Sequence, residues 1–296
     1  MRKFHRKILS WALLVFLAVL LLAVICIQLI QADKFQEQNP ATDSANHHSN
    51  HPHHKETATM TQIPVTTLSP TPLPFLSSLD GCSAGDILEI SVLDMANLQT
   101  YFTQKEVDSE LLTYISGKSY QENNDISLDE LAYLKLLHYN YNHQIQVGEL
   151  LVNKAIATDC IQIFTELFQK EYEISSMYLI DRYWTGDGSS TDTASMNDNN
   201  CSAFCYRTIA GTSKLSNHAL GYAIDINPYE NPYITYRDGV EVFYHENAQN
   251  YANRSLKLPH MIHHEDLCYQ LFTEYGFTWG GDWKNSKDYQ HFEKKP

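Results

Sequence analysis

The chain has 296 residues, 43% of them hydrophobic, and carries 35 acidic against 21 basic side chains for a formal charge of −14. That length accommodates a membrane anchor, a spacer and one domain with its own core. The acid excess excludes a phosphate-tracking groove, so nucleic acid is not an expected partner.

Residues 8–30 contain no charged side chain, and as a helix rising 1.5 Å per residue they would span about 34 Å, enough to cross a bilayer. Arg2, Lys3, Arg6 and Lys7 precede this run, while only Lys34, beside Asp33, follows it closely. The charge bias predicts that residues 1–7 are cytoplasmic and that the chain beyond the helix is extracytoplasmic, a single-pass arrangement. The run is longer than the apolar part of a signal peptide and no Ala-x-Ala site follows, so it reads as an uncleaved anchor. Residues 31–79 are rich in Gln, Asn, Thr, Ser, Pro and His and poor in large apolar side chains. Such a stretch cannot offset its ordering entropy and is read as a disordered spacer, stiffened by Pro64, Pro70, Pro72 and Pro74. Its His47, His48, His51, His53 and His54 form either a metal-binding tract or a polar tract with incidental metal affinity. Residues 80–124 are expected to hold a short helix at 93–102 and an element at 111–115, as a preface to the domain or a separate cover.

From residue 125 to 296 the pattern is that of a folded domain. Ser127-Leu-Asp-Glu130 is a capping box that predicts a helix with the stripe Leu128, Leu131, Leu134 and Leu137. A second helix is predicted from Ile156, Cys160, Ile163, Phe164, Leu167 and Phe168 on one side. Residues 174–180 read as a strand, and the Gly-, Ser-, Asp- and Asn-rich stretch 181–200 as a long loop at a functional rim. Further strands are expected at 203–209 and 222–226, a helix at 264–275 stopped by Gly276, and strands at 277–279 and 289–293. Helices grouped before and between strands, without regular alternation, give the class α+β. Cys82, Cys160, Cys201, Cys205 and Cys268 lie beyond the anchor, and Cys201 with Cys205 are either a disulfide or two small packing residues.

The chemistry gathers late in the chain. His218 and Asp225 are seven apart around Gly221, a spacing that suits a loop ligand and a strand ligand, with Ile224 and Ile226 facing the other way. Alone, such a pair is as compatible with a hydrogen-bonded surface contact. His291 adds a second imidazole, and two histidines with one carboxylate and an open fourth position describe a catalytic Zn2+ site. Asp288, three residues before His291, is placed to act on a water at such a site as general base. Ser216 either hydrogen-bonds near a ligand or caps its turn, and Trp279 and Trp283 either pack or line a substrate cleft. His260, His263 and His264 are read as non-ligands.

The set Ser216-x-His218-x-x-Gly221-x-Ala223-x-Asp225, Trp279-Gly-Gly-Asp-Trp283 and Asp288-x-x-His291 resembles the zinc D-alanyl-D-alanine carboxypeptidases of the VanY type and the related L-alanyl-D-glutamate endopeptidases. The resemblance runs from about residue 126 to 292 and takes in the segment ending at Arg207. It implies a small α+β zinc peptidase fold, related to the Hedgehog N-terminal domain, with an antiparallel sheet and packed helices. It also implies peptidoglycan stem peptides as substrate, His218, Asp225 and His291 as zinc ligands, Asp288 as general base, and Arg207 as the arginine that steadies the substrate carbonyl. Arg207 could instead pair with an acidic residue of the 181–200 stretch. Cys201 and Cys205 depart from the family pattern. Removal of a terminal D-alanine is the first expectation; cleavage between L-alanine and D-glutamate, or binding without reaction, are the alternatives.

Overall fold

The computed structural model describes residues 74–245 and 248–295. The anchor, most of the spacer and the histidine tract lie outside these residues. Among the described residues no helix is long and apolar enough to cross a membrane. Folded structure is already in place at Leu76, whose N–H donates to the Val92 carbonyl at 2.7 Å, and Leu79 is buried.

Four strands, β1 (Ile87–Leu88), β2 (Thr103–Glu106), β3 (Leu131–Tyr139) and β4 (Ile145–Asn153), form a sheet in the order β1-β4-β3-β2 with every pairing antiparallel. Its centre is the β3–β4 hairpin, in which Leu134 faces Leu150 and His138 faces Gln146. Here the structure corrects the sequence reading. The Ser127–Glu130 capping box forms, but it opens only a single 3-10 turn, Leu128–Glu130, and the leucines beyond it are extended. Leu131, Leu134 and Leu137 satisfy a helical spacing, yet Ala132, Leu134 and Leu136 equally satisfy the two-residue period of a strand. The tie is broken by the Asn140–Gln144 turn and the complementary apolar run after it, which offer β3 a full hydrogen-bonding partner.

The stretch 80–124 is no separate cover. Its β1 and β2 are the sheet's edges, and Leu93, Leu98, Tyr101 and Phe102 enter the main core. Its short helix is a kinked 3-10 segment, Met95–Tyr101, followed by α1 (Ser109–Ile115). Helix α2 (Lys154–Gln169) matches expectation: Asn153 caps it, and Ile156, Cys160, Ile163, Phe164, Leu167 and Phe168 are all buried. Each such side chain, fully buried, contributes roughly 1.5–3 kcal/mol.

The next stretch departs from expectation three times. Only β5 (Ser176–Met177) of the expected strand at 174–180 is extended, and it pairs in parallel with β6 (Asn200–Cys201). Between them residues 181–200 are not one loop, because Gly188–Asn197 form a helix, α3. Asp187 caps it by accepting from the Ser189 and Ser190 N–H groups, each at 2.9 Å. With Thr191, Ser195 and Met196 as its buried residues, α3 has no apolar stripe for a pattern search to find. Residues 203–209 are not a strand either. Their N–H groups scatter: Phe204 donates to Leu151, Cys205 to His218 and Tyr206 to Ser119, so no ladder forms. This segment is instead a strap joining the large sheet to the turn that carries His218.

The C-terminal part holds two three-stranded antiparallel sheets. One contains β7 (Ala223–Asp225), β10 (Thr278–Trp279) and β12 (His291–Glu293) in the order β10-β12-β7. The other contains β8 (Tyr233–Arg237), β9 (Val240–Phe243) and β11 (Lys287–Asp288) in the order β11-β8-β9. Helix α4 (Leu267–Glu274) buries Cys268, Leu271 and Phe272, and Gly276 at φ 84° ends it in the left-handed conformation glycine favours. Antiparallel sheets with packed helices make the domain α+β.

Candidate metal centre

His218 sits in a 3-10 turn, Asn217–Leu220, whose N-cap is Ser216; the serine hydroxyl accepts from the His218 N–H at 3.3 Å. Gly221 closes the turn at φ 71°, and a Cβ there would lie 2.5 Å from the Asn153 nitrogen. Only glycine fits. Asn153, at the end of β4, returns the contact by donating its N–H to the Gly221 carbonyl at 2.8 Å and its side-chain amide to Leu220 at 3.1 Å. The turn is thereby pinned to the large sheet. In β7, Ile224 and the following Ile226 enter the main core while Asp225 points to the cleft. His291 on β12 is the direct cross-strand partner of Asp225. Two side chains directly opposite on an antiparallel pair lie close by construction.

The donor groups of the three residues form a small triangle, with a different Asp225 oxygen nearest each histidine. His218 Nε2 is 3.2 Å from His291 Nδ1 and 3.2 Å from Asp225 Oδ2, and His291 Nδ1 is 3.0 Å from Asp225 Oδ1. Donors set tetrahedrally around zinc at 2.0–2.1 Å are about 3.3–3.4 Å apart, close to these contacts, and one donor atom from each residue lies within 4.8 Å of the other two. The outer nitrogens are engaged as a ligand set needs: His218 Nδ1 meets the Ala203 carbonyl, and His291 Nε2 meets Glu293 Oε2 at 3.0 Å. Glu293 is itself held by the Asn217 side-chain amide at 2.6 Å. Donating outward leaves each histidine's inner nitrogen with a lone pair, and such partners orient the ring and raise its basicity. His218, Asp225 and His291 thus form a compact metal-binding site, and all three are buried.

In the metal-free chain the buried groups titrate away from their ordinary values. Burial alone would lower the His291 pKa, but the Asp225 and Glu293 carboxylates outweigh it and raise it to about 10. Burial opposes ionisation of Asp225 too, yet His218 and His291 hold that carboxyl well below the usual range. Burial pushes Asp288 up to about 8, and its Oδ1 is buried with no partner. A raised folded-state pKa, for His291 as for Asp288, means stability present at low pH that is lost as pH rises through the folded value. The metal-free protein is therefore expected to melt at progressively lower temperature between about pH 5 and 9, and zinc should flatten that decline. Scanning fluorimetry across this range, with and without zinc, measures it; a metal-free melting point that rises with pH would contradict the assignment.

Asp288 ends β11 and lines the same cleft as the triad. Gly280 makes room for both: a Cβ there would be 2.8 Å from the Asp288 Cβ and 3.2 Å from the His291 Cβ. Arg207 also lines the cleft, and its Nη2 pairs with Asp192 Oδ2 of α3 at 2.7 Å. Its Nε is buried without a partner, a state that costs about 1–3 kcal/mol unless a ligand meets it. Trp283 lines the cleft with its ring 5.2 Å from that of His291. Trp279 does not. It packs against His264, Tyr269 and Tyr289 and donates Nε1–H to the Tyr289 carbonyl at 2.8 Å.

His260 stacks on Tyr141, His264 pairs with Asp282, and His263 accepts from the Glu265 N–H, all apart from the triad. The five described cysteines are free thiols, Cys201 and Cys205 both buried, so the disulfide alternative falls. Sequence reasoning passed over Ala203, Asn217 and Glu293, whereas Asp192 is an acidic residue of the 181–200 stretch, which it had offered as a partner for Arg207. Glu293 had a signal, because residues two apart on a strand share a face and His291-x-Glu293 is such a pair. A backbone carbonyl such as that of Ala203 has none.

The cleft, with a volume of ≈ 320 Å³, is lined by residues of α3, by Tyr233, Tyr244 and Trp283, and by the triad. Residues 210–294 match a family model described as D-alanyl-D-alanine carboxypeptidase. No curated protein and no solved structure matches the chain.

Proposed function

From a segment at 210–294 that matches the D-alanyl-D-alanine carboxypeptidase family, we propose that the protein is a zinc peptidase removing the terminal D-alanine from peptidoglycan stem peptides. The observation that carries this reading is the donor triangle of His218, Asp225 and His291, with both outer imidazole nitrogens already committed to oxygen partners.

When bound, the ion supplies a Lewis acid that acidifies water and polarises a carbonyl. The remaining roles fall to the chain. Ala203 and Glu293 keep each histidine in the tautomer that turns a lone pair inward. Asp288, buried and basic for a carboxylate, takes the proton of the attacking water and hands it to the departing amine. Arg207, which lines the cleft, brings its guanidinium to the scissile carbonyl oxygen as negative charge grows there. Tyr233, Tyr244 and Trp283 wall the reacting peptide from bulk water.

Zinc-loaded protein incubated with a stem pentapeptide should release D-alanine alone, as read by mass spectrometry, and a chelator should stop it. A cut between L-alanine and D-glutamate would make it an endopeptidase, and muropeptide binding without any cut would make it a binding module. Arg207→Ala is expected to keep its zinc and lose two decades or more of turnover, about 3 kcal/mol of transition-state stabilisation. Full activity in that variant would remove Arg207 from the reaction.

The same proposal places the domain outside the cell, held by residues 8–30 as an uncleaved single-pass anchor and spaced from the membrane by the proline- and histidine-rich stretch. The support is the uncharged run and the four basic residues before it. Carbonate-resistant membrane association that disappears on deleting residues 8–30 tests it.

A further inference from the structure

Arg207 is held from one side only. Asp192 meets its Nη2, while Nε, buried, has no partner. The contact is built into the path of the chain: α3 approaches so closely because it begins with Gly188, where a Cβ would sit 2.8 Å from the Arg207 Cβ. The helix is itself fixed, by Asp187 at its N-terminus and by Ser195, whose hydroxyl accepts from the Asn200 side-chain amide at 3.0 Å. Among the described residues lining the cleft, Arg207 is the one lysine or arginine, and Asp192, Asp225, Asp288 and Glu293 line it too. An arginine sharing a cleft with four carboxylates has more than one place to go. Asp225 is already committed to two histidines and the Gln290 amide, and Glu293 to His291 and the Asn217 amide, which leaves Asp192 and Asp288 to compete for the guanidinium.

We infer that Asp192 is the positioning residue of Arg207: by occupying Nη2 it orients the guanidinium so that its remaining N–H groups are left for the substrate's carbonyl oxygen, and it keeps Arg207 from collapsing onto Asp288. This rests on the peptidase reading above. A guanidinium is planar, so fixing one nitrogen and the side-chain stem fixes the direction of the others, which a lysine in its place could not reproduce. Without Asp192 the guanidinium is drawn toward Asp288 and both groups are taken out of position. The ion pair that looks like a structural alternative to catalysis is thus a condition for it.

The test uses the full chain, zinc-loaded, as wild type, Asp192→Asn, Asp192→Glu, Arg207→Ala and the double variant Asp192→Asn with Arg207→Ala. Because misplacing a reacting group by about 1 Å costs on the order of a hundredfold, Asp192→Asn should lower kcat by that order with KM and zinc content unchanged, compared at equal folded fraction because breaking a buried ion pair also lowers stability. Asp192→Glu should restore part of the loss, and the double variant should be no worse than Arg207→Ala alone. A second reading does not depend on turnover: in protein labelled with 15N-arginine, the Arg207 Nε–H resonance, assigned by its absence in Arg207→Ala, should be slow to exchange in the wild type and lost or shifted in Asp192→Asn. An unchanged resonance overturns the inference. So does a double variant well below Arg207→Ala, which would mean that Asp192 acts independently. A wild type that cuts no stem peptide would defeat the peptidase reading, while the resonance still decides whether Asp192 positions Arg207.

Discussion

Replacing His291 with alanine is expected to strip the protein of zinc and, with it, of measurable peptide hydrolysis. The substitution removes one corner of the donor triangle and leaves Asp225, a buried carboxylate, without one of its two imidazole partners. Losing merely the outer partner of a ligand typically costs 10- to 100-fold in metal affinity or activity, so losing the ligand itself should exceed that range. Glu293→Gln gives the comparison: it keeps His291 but weakens the acceptor on its Nε2, and about a tenfold to hundredfold loss is expected. Zinc content after dialysis against a weak chelator, measured for both variants at equal folded fraction, should fall in that order. Equal zinc in wild type and His291→Ala would mean that the ion binds elsewhere. Removing one partner of a buried ion pair can also cost about 3–5 kcal/mol of stability, so the folded fraction must be checked by circular dichroism before any loss is assigned to the metal.

Asp288→Asn is expected to behave in the opposite way, holding zinc and losing reaction. The asparagine has the carboxylate's shape but cannot accept a proton, and positioned acid–base groups are worth about 10²–10⁴ in rate. Its pH profile provides a second reading. In the metal-free chain burial raises Asp288 to about 8, and the charge of a bound ion lowers it from there. The acidic limb of kcat/KM in the wild type should therefore fall below pH 8 and vanish in the variant. Above that pH the metal-free variant should melt no lower than metal-free wild type, because it has no carboxylate to ionise in a buried site. An Asp288→Asn protein with wild-type turnover would place the base elsewhere in the cleft.

How much of this was legible in the sequence depends on whether a residue announces itself through its side chain or through its surroundings. His218, Asp225 and His291 stand out by chemical type, and Gly221 betrays the turn between the first two. Helix α2 is equally plain, since six apolar residues on one side have only one way to be buried together. The β3 leucines mislead because one string of apolar residues satisfies two periods, and the choice is made by a partner strand further along the chain. Helix α3 is hidden for a different reason. It is capped and packed through polar side chains, Asp187, Thr191 and Ser195 among them, and so reads as a loop in any search for apolar pattern. Trp279 lies close to the site in sequence but packs behind it. Asp192 meets Arg207 from α3, a partner the sequence offered only as some acidic residue of 181–200 without saying which.

The strap at residues 203–209 has a consequence for anyone wishing to excise the working part of this protein. The segment recognisable by likeness begins at residue 210, yet the carbonyl that orients His218 belongs to Ala203, the amide that pins its turn to Asn153, and the guanidinium over the cleft to Arg207. A piece cut at the boundary of likeness would carry every ligand and the base while leaving behind the groups that aim them. The smallest functional fragment is set by the supports of the ligands, and it must reach back through the large sheet.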